Sequence, residues 1–295
     1  MPTNKQRRAT AKRKLERQLD RRAKQARRRR VVTIATTVGV VVVVAGLAVW
    51  WVFFNKSSTG APTASSTSSS APPTQDTAAP NQAGVLPPFK RPADLGANCQ
   101  YQPTPNEPAA KKVDPPKEGK VPTDPANISM SITTNQGPIG VQLDNGKAPC
   151  TVNNFVSLAQ QGYFNGTHCH RLTTGPTLSV LQCGDPKGDG SGGPGYQFAD
   201  EYPSNQYLPD DPARNNPVVY PRGTLAMANA GPGTNGSQFF IVYKNSELPP
   251  NYTVFGKVDD KDMGVIDKIA AAGTVDGKPD SKPKTDVVIT TARLD

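Results

Sequence analysis

The stretch MANAGPGTNGSQFF, Met227–Phe240, decides how this chain is read. Its middle, Gly231–Gly236, is turn chemistry: glycines, a proline and an asparagine supply the backbone angles a tight loop needs. Its end runs straight into Ile241-Val242-Tyr243, a β-rich sequence, so the loop delivers a strand. Side chains alternate along a strand. Gln238 and Phe240 therefore share one face, and Phe239 takes the other, into the core.

Short strand patterns surround this segment. Ile128, Met130 and Ile132 alternate with polar residues, Asn135–Pro138 interrupts, and Ile139, Val141 and Leu143 resume, which predicts a β-hairpin. A helix follows, with Pro149 near its start, Val152, Phe155, Val156 and Ala159 at helical spacing, and Gly162 at its end. HCHRL (168–172), LSVLQCG (178–184), GTLAMAN (223–229), SQFFIVY (237–243) and YTVFGKV (252–258) are strand candidates between Gly/Pro loops. A second helix is predicted at MGVIDKIAAAG (263–273), with Val265, Ile266, Ile269 and Ala270 on one stripe, and DVVITTARL (286–294) closes as a strand. Many short strands with two helices indicate a mainly β barrel or sandwich with helical caps. Residues 126–295 are enough to close one core.

The N-terminal part has other properties. The whole chain has 295 residues and a formal charge of +10, but residues 1–30 alone carry +12, leaving the remaining 265 at −2. The basic character belongs to the tail. No aromatic residue interleaves its charges, so nothing offers base stacking, and charge alone supplies only non-specific nucleic-acid binding. Val31–Phe54 has neither a charge nor a proline, long enough for a transmembrane helix. Trp50 and Trp51 lie at its far end, as interfacial rings do, and the Lys/Arg excess lies wholly before it. The expectation is a single-pass anchor, with residues 1–30 cytoplasmic and everything after about residue 55 outside. A cleaved signal peptide has an apolar core of only about 7–15 residues and a small-residue cleavage site; this run is longer and ends in bulky aromatics. Residues 55–125 read as a disordered Ser/Thr/Pro-rich linker and, from about 81 onward, a proline-rich lead-in to the domain.

Motifs for nucleophilic, phosphate-cradling or dinucleotide chemistry are absent. The glycine-rich GDGSGGPG, 188–195, does not open a helix and reads as a surface loop. His168, Cys169, His170 and Cys183 have the residue types of a zinc site. Alternation sends Cys169 and its two histidine neighbours to opposite faces, so neither metal nor cofactor is expected. The four cysteines fall in the part assigned outside, where disulfides are plausible. If Arg171 and Gln182 share a face, alternation puts Cys169 and Cys183 on opposite sides, which disfavours a direct bond between them; other pairings and buried free thiols stay open.

CHRL, LQCGD, Met227–Phe240 and YTVFGKV, in that order along the chain, resemble the cyclophilin family of peptidyl-prolyl cis–trans isomerases. The resemblance covers residues 126–295. It implies an eight-stranded antiparallel barrel capped by two α-helices, and rotation about X-Pro bonds of proline-containing polypeptides with no cofactor. By the family's motifs the catalytic residues fall on Arg171, Gln182, Asn229, Gln238 and Phe240. Val180, Ala228, Leu248 and Tyr252 become substrate-binding residues. Two positions depart: Ser179 stands where the family usually has a phenylalanine, and Glu247 where it has a tryptophan that contacts cyclosporin. Weak cyclosporin binding, reduced but retained isomerase activity and a monomeric protein acting on exported or cell-envelope clients are expected. A proline-peptide binding module without turnover, and a nucleic-acid-tethered protein acting through residues 1–30, are the competing classes.

Overall fold

The computed structural model describes residues 83–295. The tail, the apolar run and the Ser/Thr/Pro-rich linker expected within residues 1–82 lie outside the described residues. Among those described, no helix is long and apolar enough to cross a membrane.

The hairpin forms as the alternation predicts. Ile128–Thr134 pairs antiparallel with Gly137–Leu143, from Ile128 opposite Leu143 to Thr134 opposite Gly137. Met130, Ile132, Ile139, Val141 and Leu143 are buried. Gly137 turns the chain at φ +133°, a left-handed conformation that side chains resist.

These strands belong to a ten-stranded antiparallel sheet, not to the expected eight-stranded barrel. Eight of its strands have three or more residues; the two edges are the two-residue strands Asp280–Ser281 and Thr167–His168. The sheet curls, and no ladder joins its two edges. A bridge between His168 and Asp185 carries one edge to the end of the Val180–Cys183 strand.

Both helices form as predicted. Helix Pro149–Gln160 buries Val152, Phe155, Leu158 and Ala159. The residue before it, Ala148, makes no capping side-chain bond; the buried Glu201 carboxylate accepts from the Cys150 and Thr151 backbone N–H groups and the Thr151 hydroxyl instead. Helix Met263–Ala272 buries Met263, Ile266 and Ile269 and stops at Gly273. The main core joins the helical side chains to one face of the sheet, with Phe239 packed edge-on against Phe155 and Phe164.

The lead-in packs on the domain. Cys99, Tyr101 and Val121 are buried in the main core. Gln102–Pro103 pairs with Tyr196–Gln197. Gly84–Val85 pairs parallel with Val218–Tyr220, whose other neighbour is Ser246–Leu248. A disulfide joins Cys99 to Cys150 at the start of the first helix, with Cα atoms 5.3 Å apart.

The second disulfide, Cys169–Cys183, corrects the sequence expectation. HCHRL is not one strand: Thr167–His168 ends, and a new strand starts at Arg171. Cys169 lies in the break, its N–H donating to the Val287 carbonyl, so two-residue alternation does not run through it. Both sulfurs reach the same buried side, and no cysteine among the described residues is free.

Candidate functional site

Four neighbouring strands build one row of side chains. Arg171 lies directly opposite Gln182, Gln182 opposite Phe240, and Phe240 opposite Ala226. Registered partners share a face, so the row runs from polar to apolar. Phe239 belongs to the main core while Phe240 belongs to a second apolar cluster with Val180, Ala226, Val242 and Val254. Ala228, Leu248 and Tyr252 are partly buried against that cluster, and the Tyr252 ring meets Phe240 edge-on at 5.7 Å.

A chain of hydrogen bonds orders the polar end. Arg171 Nη1 donates to Gln182 Oε1 at 3.0 Å. An arginine can only donate, so it must meet the oxygen of the Gln182 amide. The Gln182 Nε2 is thereby aimed at Gln238 Oε1, 2.9 Å away. Gln238 Nε2 is in turn left to donate to the carbonyls of Gly190 and Gly192, each at 2.9 Å. One donor-only side chain thus sets two amide orientations.

The far side of Arg171 holds a residue the sequence did not point to. Asp280, in an edge strand paired with Leu172 and Thr173, accepts from Nε and Nη2, each at 2.7 Å. This bidentate fork fixes the guanidinium plane. The pair holds the Asp280 carboxyl below its ordinary pKa and raises that of Arg171. Asp280 carries no motif, and it is separated from Arg171 by 109 positions.

Asn229 uses its side chain structurally: Nδ2 donates to the Asn251 carbonyl and Oδ1 accepts from the Gly231 N–H. Asn229 lines a pocket of about 550 Å³, as do Ala228, Gln182 and Gln238. The glycine-rich loop read as plain surface forms another wall of this pocket. The buried Asp185 carboxylate shapes that loop by accepting from the N–H groups of Lys187, Asp189 and Gly190.

His170, beside Arg171 in sequence, is buried, and burial lowers its pKa, which favours the neutral ring. Ser179 is buried and turned away from the Phe240 cluster: its hydroxyl donates to the Gly175 carbonyl and its N–H to Ser246 Oγ. Leu178 is partly buried against that cluster. Glu247 is exposed. Among the described residues no group of three or more His, Cys, Asp or Glu side chains could hold a metal ion.

Residues 129–294 match the family model described as cyclophilin type peptidyl-prolyl cis-trans isomerase/CLD. The chain is 70% identical over 298 residues to the probable peptidyl-prolyl cis-trans isomerase B of Mycobacterium tuberculosis, covering 100% of this chain and 95% of that one. It is 60% identical over 296 residues to the protein of the same description in Mycobacterium leprae, covering 100% of both. It is 40% identical over 182 residues to the peptidyl-prolyl cis-trans isomerase A of Mycobacterium tuberculosis, covering 56% of this chain and 90% of that one.

Proposed function

As the chain belongs to the cyclophilin-type peptidyl-prolyl cis–trans isomerase family and is such an isomerase, we propose that Arg171 is its catalytic donor and that Phe240 seats the prolyl ring. The observation that carries this is the registered row Arg171–Gln182–Phe240, with the arginine forked and its neighbours ordered.

The X-Pro amide is planar because of resonance, with a barrier of roughly 18–20 kcal/mol. Catalysis requires the twisted amide to be bound better than either planar form. As the bond twists, the proline nitrogen regains a lone pair. Asp280 and Gln182 occupy one edge of the guanidinium and part of another, and the remaining N–H groups on Nη1 and Nη2 stay available to that nitrogen or to the neighbouring carbonyl. Phe240, Val180, Leu248 and Tyr252 supply the apolar seat, Ala228 and the Asn229 backbone line its edge, and Gln238 holds the flanking peptide while the other side rotates.

The clients in this proposal are exported or cell-envelope polypeptides, met by a monomeric domain tethered outside the cytoplasmic membrane through residues 31–54. The apolar run, the preceding basic tail and the two disulfides support it. Weak cyclosporin binding follows from the exposed Glu247 where relatives of the fold carry tryptophan.

Arg171→Ala, assayed on a proline-containing peptide, tests the catalytic assignment. One charge-assisted hydrogen bond in a partly dry groove is worth on the order of 10²–10³ in rate. A fall of that size is expected in kcat/KM, and unchanged turnover would remove Arg171 from the mechanism.

A further inference from the structure

We infer that Glu107, carried by the lead-in outside the matched family region, determines which charged or polar side chain beside the proline this enzyme prefers. This rests on the site proposed above.

The lead-in is built onto the substrate pocket. Its Thr104 N–H donates to the Gly195 carbonyl and its Ala110 N–H to the Gly193 carbonyl, each at 2.9 Å. Those two anchors flank the segment Thr104–Pro108, whose Thr104, Asn106, Glu107 and Pro108 line the pocket. The contact is close: a Cβ on Gly195 would come within 2.9 Å of the Ala109 nitrogen, at a residue with φ +83°, so only glycine serves there. Upstream, the Cys99–Cys150 disulfide and the Gln102–Pro103 pairing fix the segment's entry.

The same glycine loop receives Gln238 from the opposite side, through the carbonyls of Gly190 and Gly192. One short loop therefore joins the lead-in to the Gln238–Gln182–Arg171 chain. A peptide held by Gln238 with its proline over Phe240 must send a neighbouring side chain toward the pocket, because the pocket shares Gln182, Ala228 and Gln238 with the site.

The lining gives the chemistry of that side chain. Apart from glycine and proline it is largely hydroxyl, amide and charge, and its two charged groups are the exposed Glu107 and Lys187. Neither forms an ion pair among the described residues. Glu107 is thus free to attract a cationic substrate side chain, and Lys187 an anionic one. The lead-in supplies the acidic half of this selectivity.

The test uses the full chain and peptides in which Lys, Gln or Glu is scanned through the two residues on either side of the X-Pro bond. The quantity read is the ratio of kcat/KM for the Lys peptide to that for the Glu peptide, at low ionic strength. Glu107→Lys should lower this ratio about tenfold at one scanned position, since attraction and repulsion exchange for both peptides. Lys187→Glu should raise it by a similar factor, and added salt should shrink both changes. Arg171→Ala should depress all peptides alike without moving the ratio. A ratio that Glu107→Lys leaves unchanged at every position, while Arg171→Ala is slowed as expected, overturns the role of Glu107 and leaves the catalytic site standing. An Arg171→Ala protein with unchanged turnover would overturn the site itself.

Discussion

If Arg171 is the catalytic donor as proposed, replacing Asp280 should slow the enzyme although both its carboxylate oxygens are taken up by the guanidinium. The carboxylate accepts two 2.7 Å bonds from Arg171, while Gln182 provides the one other tie, at 3.0 Å. In Asp280→Ala the guanidinium keeps only the Gln182 bond and can swing about it. Little stability is at stake: the side chains are 38% and 54% exposed, so solvent screening limits the pair to under about 1 kcal/mol. The loss is one of orientation, which a small displacement of a catalytic group can make large. We expect kcat/KM to fall about tenfold, or 1.4 kcal/mol of transition-state binding, mainly in kcat with KM little changed. That is well short of the loss expected for Arg171→Ala.

Asp280→Asn keeps an acceptor without the charge and should recover part of the rate, which a purely structural role would not predict. The pH dependence has a definite sign. The folded-state pKa of Asp280 is lowered, so the pair is intact above the ordinary carboxylate range and is lost only as pH falls below it. Activity should therefore be insensitive to this group from mildly acidic pH upward. The assay is turnover of one X-Pro peptide by the three proteins, with urea unfolding to show that they remain folded. If Asp280→Ala matches wild type within twofold, the fork does not position Arg171. If it is faster, the carboxylate competes with substrate for the arginine, and the reasoning is refuted outright.

Two predictions concern the scaffold. The Cys99–Cys150 disulfide closes a separation of 51 residues, and its loss in a Cys99→Ser, Cys150→Ser protein should cost about 4 kcal/mol by loop entropy; a loss below 1 kcal/mol in denaturant unfolding would show the lead-in anchored without it. Burial pushes the Glu201 carboxyl from its ordinary 4.5 up to about 7. A raised folded-state pKa stabilises fully below the unfolded value and is lost as pH rises through the folded one. Relative to Glu201→Gln, wild type should thus lose stability between about pH 4.5 and 7, by on the order of 3 kcal/mol, and a difference that stays flat with pH would contradict it.

What could be read from the sequence was whatever repeats within one continuous element. Phe239 and Phe240 separate into the main core and the second apolar cluster because the strand through them is unbroken, so a period of two holds. The hairpin and both helices follow from the same kind of periodicity. Cys169 and Cys183 show how that rule fails: the count ran across a break at Cys169–His170, and one lost step reverses a face. Proline-rich composition hid the ordered lead-in, because Cys99, Tyr101 and Val121 enter the core singly and without a period.

The polar half of the site, Arg171, Gln182 and Gln238, was named by motif, but its arrangement was hidden for a different reason. Its order comes from donors and acceptors meeting across elements, and hydrogen-bond complementarity leaves no spacing in the sequence. Arg171 could be chosen by its motif, yet the groups that orient it are the Asp280 carboxylate from a two-residue edge strand and, through Gln182 and Gln238, two glycine carbonyls of a loop that composition alone makes featureless. A glycine-rich loop exposes its carbonyls because no side chains cover them, so the feature that made it read as filler is what lets it hold Gln238. The motif names the arginine; the direction of its free N–H groups is set from two flanks, by Gln182 within a motif and by Asp280 outside any.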